Sequence, residues 1–191
     1  PAEQLLRALT GAQMLEVVEC TRPARAAVAG TEAAAACARA LAALAAACPR
    51  LAVLRVTDGY GPRVVVPLLR RLARNTALRV LDVSGNAGDK DKDSADAESG
   101  DSETTIAEEA ARLLRHNSTL AVLRLTRCGV RADDVPLLAD ALGSNTALCA
   151  LHALDDPARA AAADPALRAP LAAVHAALAR NAAARAPFLR A

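Results

Sequence analysis

The stretch GDKDKDSADAESGDSE, residues 88–103, sets Asp89, Asp91 and Asp93 at alternate positions. That is the spacing at which a helix–loop–helix calcium site offers its first ligands. The rest of the loop does not follow. Counting from Asp89, the sixth residue is Ser94, where a glycine must make the turn. The twelfth is Gly100, where a bidentate glutamate is needed. Calcium chemistry is therefore not expected, and a solvated carboxylate-rich loop is. Ser94, Ser99 and Ser102 sit in acidic surroundings as candidate regulatory or docking positions. His116, His152 and His175 fall in different registers without ligand spacing. Cys20, Cys37, Cys48, Cys128 and Cys149 are far apart, odd in number and free of any CxxC pattern. Reduced, buried thiols in a cytosolic-type compartment are the expectation. No nucleophile elbow, phosphate loop or zinc motif occurs. The chain is expected not to be an enzyme and to hold no cofactor and no metal.

Composition narrows the classes further. Of 191 residues, 53% are apolar and roughly a quarter are alanine; Trp is absent, and Phe and Tyr occur once each. The core must be made of Leu, Val and Ala. The net charge of +2 creates no global field that would suggest nucleic acid. Lys90 and Lys92 are the only lysines, and every other basic residue is arginine. The longest alanine-rich run carries Glu32 and Arg39, so no membrane span is expected. The chain begins at Pro1, and both of its ends are expected to be cut from a longer array.

The elements that must position these residues emerge from internal repetition. LAVLRVTDG begins at Leu51, LRVLDVSGN at Leu78, LAVLRLTRC at Leu120 and LCALHALDD at Leu148; a weaker copy, AQMLEVVEC, begins at Ala12. Alternation of apolar and exposed positions within each copy predicts a strand. Between copies, Leu68, Leu69 and Leu72 recur one helical turn apart. Pro67, Pro136 and Pro170 lie near helix starts, where a missing N–H costs little. Each unit reads as strand, loop, helix, turn. Such units bury their leucines only by stacking into a parallel sheet backed by helices. Leu51 to Leu78 is 27 residues and Leu120 to Leu148 is 28, while Leu78 to Leu120 is 42. The excess places an acidic, disordered insertion at 88–103. The 39 residues from Ala12 to Leu51 place a smaller insertion at 21–30. A last, eccentric unit is expected to start near Ala184.

The pattern L-x-x-L-x-L-x-x-(N/C) resembles the leucine-rich repeat family, in its ribonuclease-inhibitor-like subclass. The resemblance implies an α/β fold: a right-handed solenoid, a horseshoe segment with parallel strands on the concave side and helices on the convex side. The resemblance covers about residues 3–184, and a single array is expected over 1–191, with starts near 12, 51, 78, 120, 148 and 184. The ninth positions are Cys20, Gly59, Asn86, Cys128 and Asp156. Of these, Cys20, Asn86 and Cys128 are expected to form the structural asparagine/cysteine ladder.

Two surfaces are candidates for contact. The fifth consensus positions, Glu16, Arg55, Asp82, Arg124 and His152, are expected side by side on the concave face, with Arg127 beside them. Acid and base alternate along this row, so it can neutralise itself, and it lacks the aromatic anchors of many interfaces. On the convex side the helix over 32–47 lacks a polar face, and Ala35, Arg39 and Ala42 are the candidate contact. The expected function is a non-catalytic interaction scaffold or structural subunit of a large assembly. Its partners would be other proteins, with no nucleic acid, no membrane and no metal. The expected location is the cytoplasm, with cytoskeleton, cilium and axoneme as the finer expectation by analogy. The alternatives implied by the resemblance are a GTPase-activating regulator like the Ran GTPase-activating protein, and the repeat region of a sensor-type receptor.

Overall fold

A computed structural model of the chain describes residues 15–21, 31–87 and 104–185. Five short strands, β1 (Val17–Thr21), β2 (Val53–Thr57), β3 (Val80–Asp82), β4 (Val122–Arg124) and β5 (Ala150–His152), form one parallel sheet in sequence order. Parallel neighbours require a crossover between them. The described crossovers contain the helices α1 (Thr31–Ala47), α2 (Pro62–Leu72), α3 (Ile106–His116) and α4 (Val135–Ser144). After β5 come α5 (Pro157–Ala163) and α6 (Arg168–Arg185). Helices α1 to α4 pack side by side in order, and α6 closes the layer against α4.

The core lies between the sheet and the helix layer. Leu51, Leu54, Leu78, Leu81, Leu123 and Leu148 enter it from the strands and their approaches, and all are at most 1% exposed. Leu44, Leu68, Leu69, Leu113 and Leu142 meet them from the helices. In α1 the buried residues Ala34, Ala38, Leu41, Leu44 and Ala45 recur at helical spacing. Alanine here sets how closely the helix approaches its neighbour, and leucine fills the space beneath.

Local chemistry starts and ends these elements. Thr105 accepts from Glu108 N (3.1 Å), and Glu108 Oε2 accepts from Thr105 N (2.8 Å), a capping box that opens α3. Pro62 opens α2. At the strand exits the chain turns tightly, with Asp58 at φ 57° and Arg127 at φ 55°. Gly85, at φ 77°, must be glycine: a Cβ there would lie 2.1 Å from Asp58 Oδ1.

The expected right-handed leucine-rich-repeat solenoid is corrected to an α/β domain: one five-stranded parallel sheet and six helices among the described residues. The register partners Val17, Val53, Val80, Val122 and Ala150 stand 36, 27, 42 and 28 residues apart. The connections are thus too unequal for a uniform array. Ala184, where a sixth unit was expected to begin, lies inside α6. The first strand also lies three residues later than a start at Ala12 implies, since Val17 rather than Met14 pairs with Val53. The two expected insertions, at 88–103 and over most of 21–30, fall outside the described residues.

Candidate protein-interaction surfaces

The sheet face turned away from the helices carries a row of polar side chains at one register level. Glu19, Arg55, Asp82, Arg124 and His152 are successive lateral partners. Arg55 is ion-paired with Glu19. Arg124 Nη1 stands 3.5 Å from Asp82 Oδ2. The row therefore contains Glu19, not Glu16. Glu16 precedes β1, where its carbonyl accepts from Ala52 N and Val53 N, and its carboxylate pairs with Arg50 at 3.1 Å. Asp82 also departs from the expected exposed position. It is 7% exposed and accepts from Ser84 Oγ (2.6 Å) and Ser84 N (3.1 Å). Arg127 lies at the strand exits, reaching Asp58 at 3.2 Å and donating its own N–H to Asp155 Oδ1 at 3.0 Å. The polar atoms of this face are largely engaged with one another.

Two hydrogen-bond ladders lock the units together. Asn86, fully buried, accepts from Tyr60 N (2.8 Å) and Gly61 N (3.2 Å), and donates to Val56 O (2.8 Å) and Val83 O (2.7 Å). Cys128 Sγ donates to Val83 O at 2.9 Å. Burial pushes the Cys128 thiol up to about 11 and also raises Cys20. A second ladder crosses the sheet at the opposite ends of the strands, where the chain enters them. The Nδ2 groups of Asn75, Asn117, Asn145 and Asn181 each donate to carbonyls of the preceding unit, at 2.7–3.3 Å. The Oδ1 atoms of the first three accept from the amides two and three residues onward, which opens the next strand. Asn75, Asn117 and Asn145 stand three residues before the motifs that begin at Leu78, Leu120 and Leu148, whereas Cys48 precedes Leu51 and Asn181 lies inside α6. That spacing was the available signal for a role the sequence reading left unassigned.

On the helix layer, Ala35 and Ala42 are half-buried, while Arg39 is exposed and ion-paired with Glu32 at 2.8 Å. The alanine-rich helix is thus partly covered on these positions. Beside it, α2 and α3 share a charge cluster that no single motif announced. The Glu109 side chain is wholly buried. Its Oε2 accepts from Arg70 Nη2 (3.1 Å) on the neighbouring helix and from Arg112 Nη1 (3.3 Å) on its own. Its Oε1 has no hydrogen-bond partner among the described residues.

His152 and His175 do come together, with Asp155, Leu151, Leu171 and Val174, around a cavity of about 260 Å³ beside β5. Among the described residues no group of three His, Cys, Asp or Glu side chains could hold a metal ion. No described helix is long and apolar enough to cross a membrane.

No protein-family model matches the chain, and no curated protein matches it. Solved structures do. Leiomodin-1 actin-binding site 2 superposes with a TM-score of 0.65 at 15% identity, covering 98% of this chain and 93% of that one. The tropomodulin C-terminal domain of Caenorhabditis elegans superposes with a TM-score of 0.62 at 17% identity, covering 98% of this chain and 96% of that one. At these identities the likeness is one of fold. It corrects the ribonuclease-inhibitor-like leucine-rich-repeat resemblance: the fold is that of the leiomodin and tropomodulin domains.

Proposed function

We propose that this chain is a non-catalytic actin-binding domain that acts in the cytoskeleton. The observation that carries the reading is the superposition over 98% of the chain on leiomodin-1 actin-binding site 2. The molecule's own surfaces support it. The sheet face holds a self-paired polar row, and the helix layer combines small apolar side chains with arginines, as a protein-contact surface would. The candidate contact at Ala35, Arg39 and Ala42 belongs to this reading, as do Arg55, Asp82, Arg124, Arg127 and His152 as the competing face. Assembly with further subunits is part of the same proposal. The likeness lends nothing to the ciliary, GTPase-activating or receptor readings, which are set aside.

Co-sedimentation with actin filaments tests the proposal. The chain is expected to pellet saturably with filaments and to remain in the supernatant without them. A chain that stays in solution at every filament concentration, while folded by circular dichroism, would overturn it.

A further inference from the structure

The outward side of the helix layer carries charge that the fold does not need. In α2 the residues Val64, Val65, Leu68, Leu69 and Leu72 are buried. Arg63, Pro67 and Arg70 stand at i, i+4 and i+7, one line along the opposite side, and Arg74 follows in the turn just after the helix. The side chains of Arg63 and Arg74 make no hydrogen bond or ion pair among the described residues. Arg70 joins Arg112 on one oxygen of buried Glu109, and each arginine side chain is still 54% exposed. Two guanidinium groups ending on one oxygen are held side by side, with their remaining N–H donors free to point outward. Among the described residues, Glu108 is engaged in the capping box, Glu109 lies beneath the arginines, and Asp140 pairs with Arg115 at 2.8 Å. Alongside runs a groove of about 260 Å³, lined by Ala35, Val66, Pro67, Arg63, Arg70 and Thr104.

We propose that this groove, with the arginine line of α2 and the Arg70–Glu109–Arg112 cluster, docks a protein segment that carries carboxylates beside apolar side chains. Resting on the actin reading, that segment lies on the filament surface. Carboxylates match the forked donors of arginine, and a guanidinium already held by Glu109 loses little freedom on binding. The apolar lining of Ala35, Val66 and Pro67 favours side chains that a bare polyanion lacks. Opposite charge also speeds encounter, so binding should weaken as salt is raised.

The test uses the full chain and three variants: Arg63→Glu with Arg74→Glu, which touches no described partner; Arg70→Gln, which keeps a hydrogen-bonding side chain next to Glu109; and Val66→Ser, which makes the groove polar. Each is measured by filament co-sedimentation and by titration with poly-L-glutamate at low salt. The arginine variants are expected to weaken filament binding about tenfold and poly-L-glutamate binding in parallel; the melting temperature should be unchanged for Arg63→Glu with Arg74→Glu and lower for Arg70→Gln, which takes a charged partner from buried Glu109. Val66→Ser should weaken only filament binding. Normal filament binding by all three variants would overturn the proposed face and leave the actin reading intact. Loss of filament binding by the wild type, with poly-L-glutamate binding still sensitive to the arginine variants, would overturn the actin reading and support the face. Tighter binding of a duplex oligonucleotide than of poly-L-glutamate would overturn the assignment to a protein segment.

Discussion

Asn117 engages all of its amide. Its Nδ2 donates to Leu72 O and Asn75 O, and its Oδ1 accepts from Thr119 N and Leu120 N, at a site only 5% exposed. Asn117→Ala would leave buried backbone groups of two units without partners, each worth about 1–3 kcal/mol. A loss of about 2–4 kcal/mol in urea unfolding is expected. Asn75→Ala should cost less, because Asn75 is only half-buried. Cys128 gives a pH signature at the same scale. Its thiol is raised from 9.0 to about 11 in the fold. Below pH 9 both folded and unfolded states keep the proton, so nothing changes. Between 9 and about 11 the unfolded chain ionises while the native thiol does not, so stability falls as pH rises. Melting temperatures of wild type and Cys128→Ala should therefore converge over that window. A constant gap between them would exclude the effect.

At the scale of elements, α1 and α3 make contrasting predictions. Ala42 packs against the core, so Ala42→Glu should destabilise by about 1–3 kcal/mol. Ala35 borders the groove beside Arg63 and Arg70, so Ala35→Glu should change stability by less than about 0.5 kcal/mol. Chemical denaturation of both separates a helix that only packs from one that also offers a surface. For α3, Thr105→Ala removes the capping box and should cost about 1 kcal/mol by the same measurement. The helices themselves were legible, because periodic leucines, and prolines such as Pro136 and Pro170 near their starts, are local signals; Pro67, expected near a start, lies inside α2, which Pro62 opens. The charge pair across α2 and α3 was not: Arg70 and Glu109 are 39 residues apart, and only helix packing decides that they meet.

For the whole molecule, the long connection between β3 and α3 is the informative one. Ala87 and Thr104, at its two ends, line one cavity with Pro62, Ile106 and Cys128. A short link can therefore join them. Replacing 88–103 with a Gly/Ser turn should alter stability by less than about 1 kcal/mol, since closure entropy changes slowly with loop length. A thermal melt showing a loss above about 2 kcal/mol would mean that the segment contributes to the packed body. The same replacement should leave filament co-sedimentation unchanged if the arginine face is the contact.

The sequence by itself determined where strands and helices lie. The motifs from Leu51, Leu78, Leu120 and Leu148 contain β2 to β5, because alternation and helical spacing act over a few residues. It also placed Arg55, Asp82, Arg124 and His152 opposite one another, since parallel strands with matching motifs share one register. It misplaced the first member of that row. The weak copy from Ala12 has no leucine at its start, and only pairing with β2 selects Glu19 over Glu16. Tertiary structure alone decided the burial of Asp82 and Glu109, and the helix that replaces a sixth strand. It also decided the kinship of fold with the leiomodin and tropomodulin domains. Each of these depends on how units lie against one another, and the free energy that sets this comes from contacts between residues far apart in the chain.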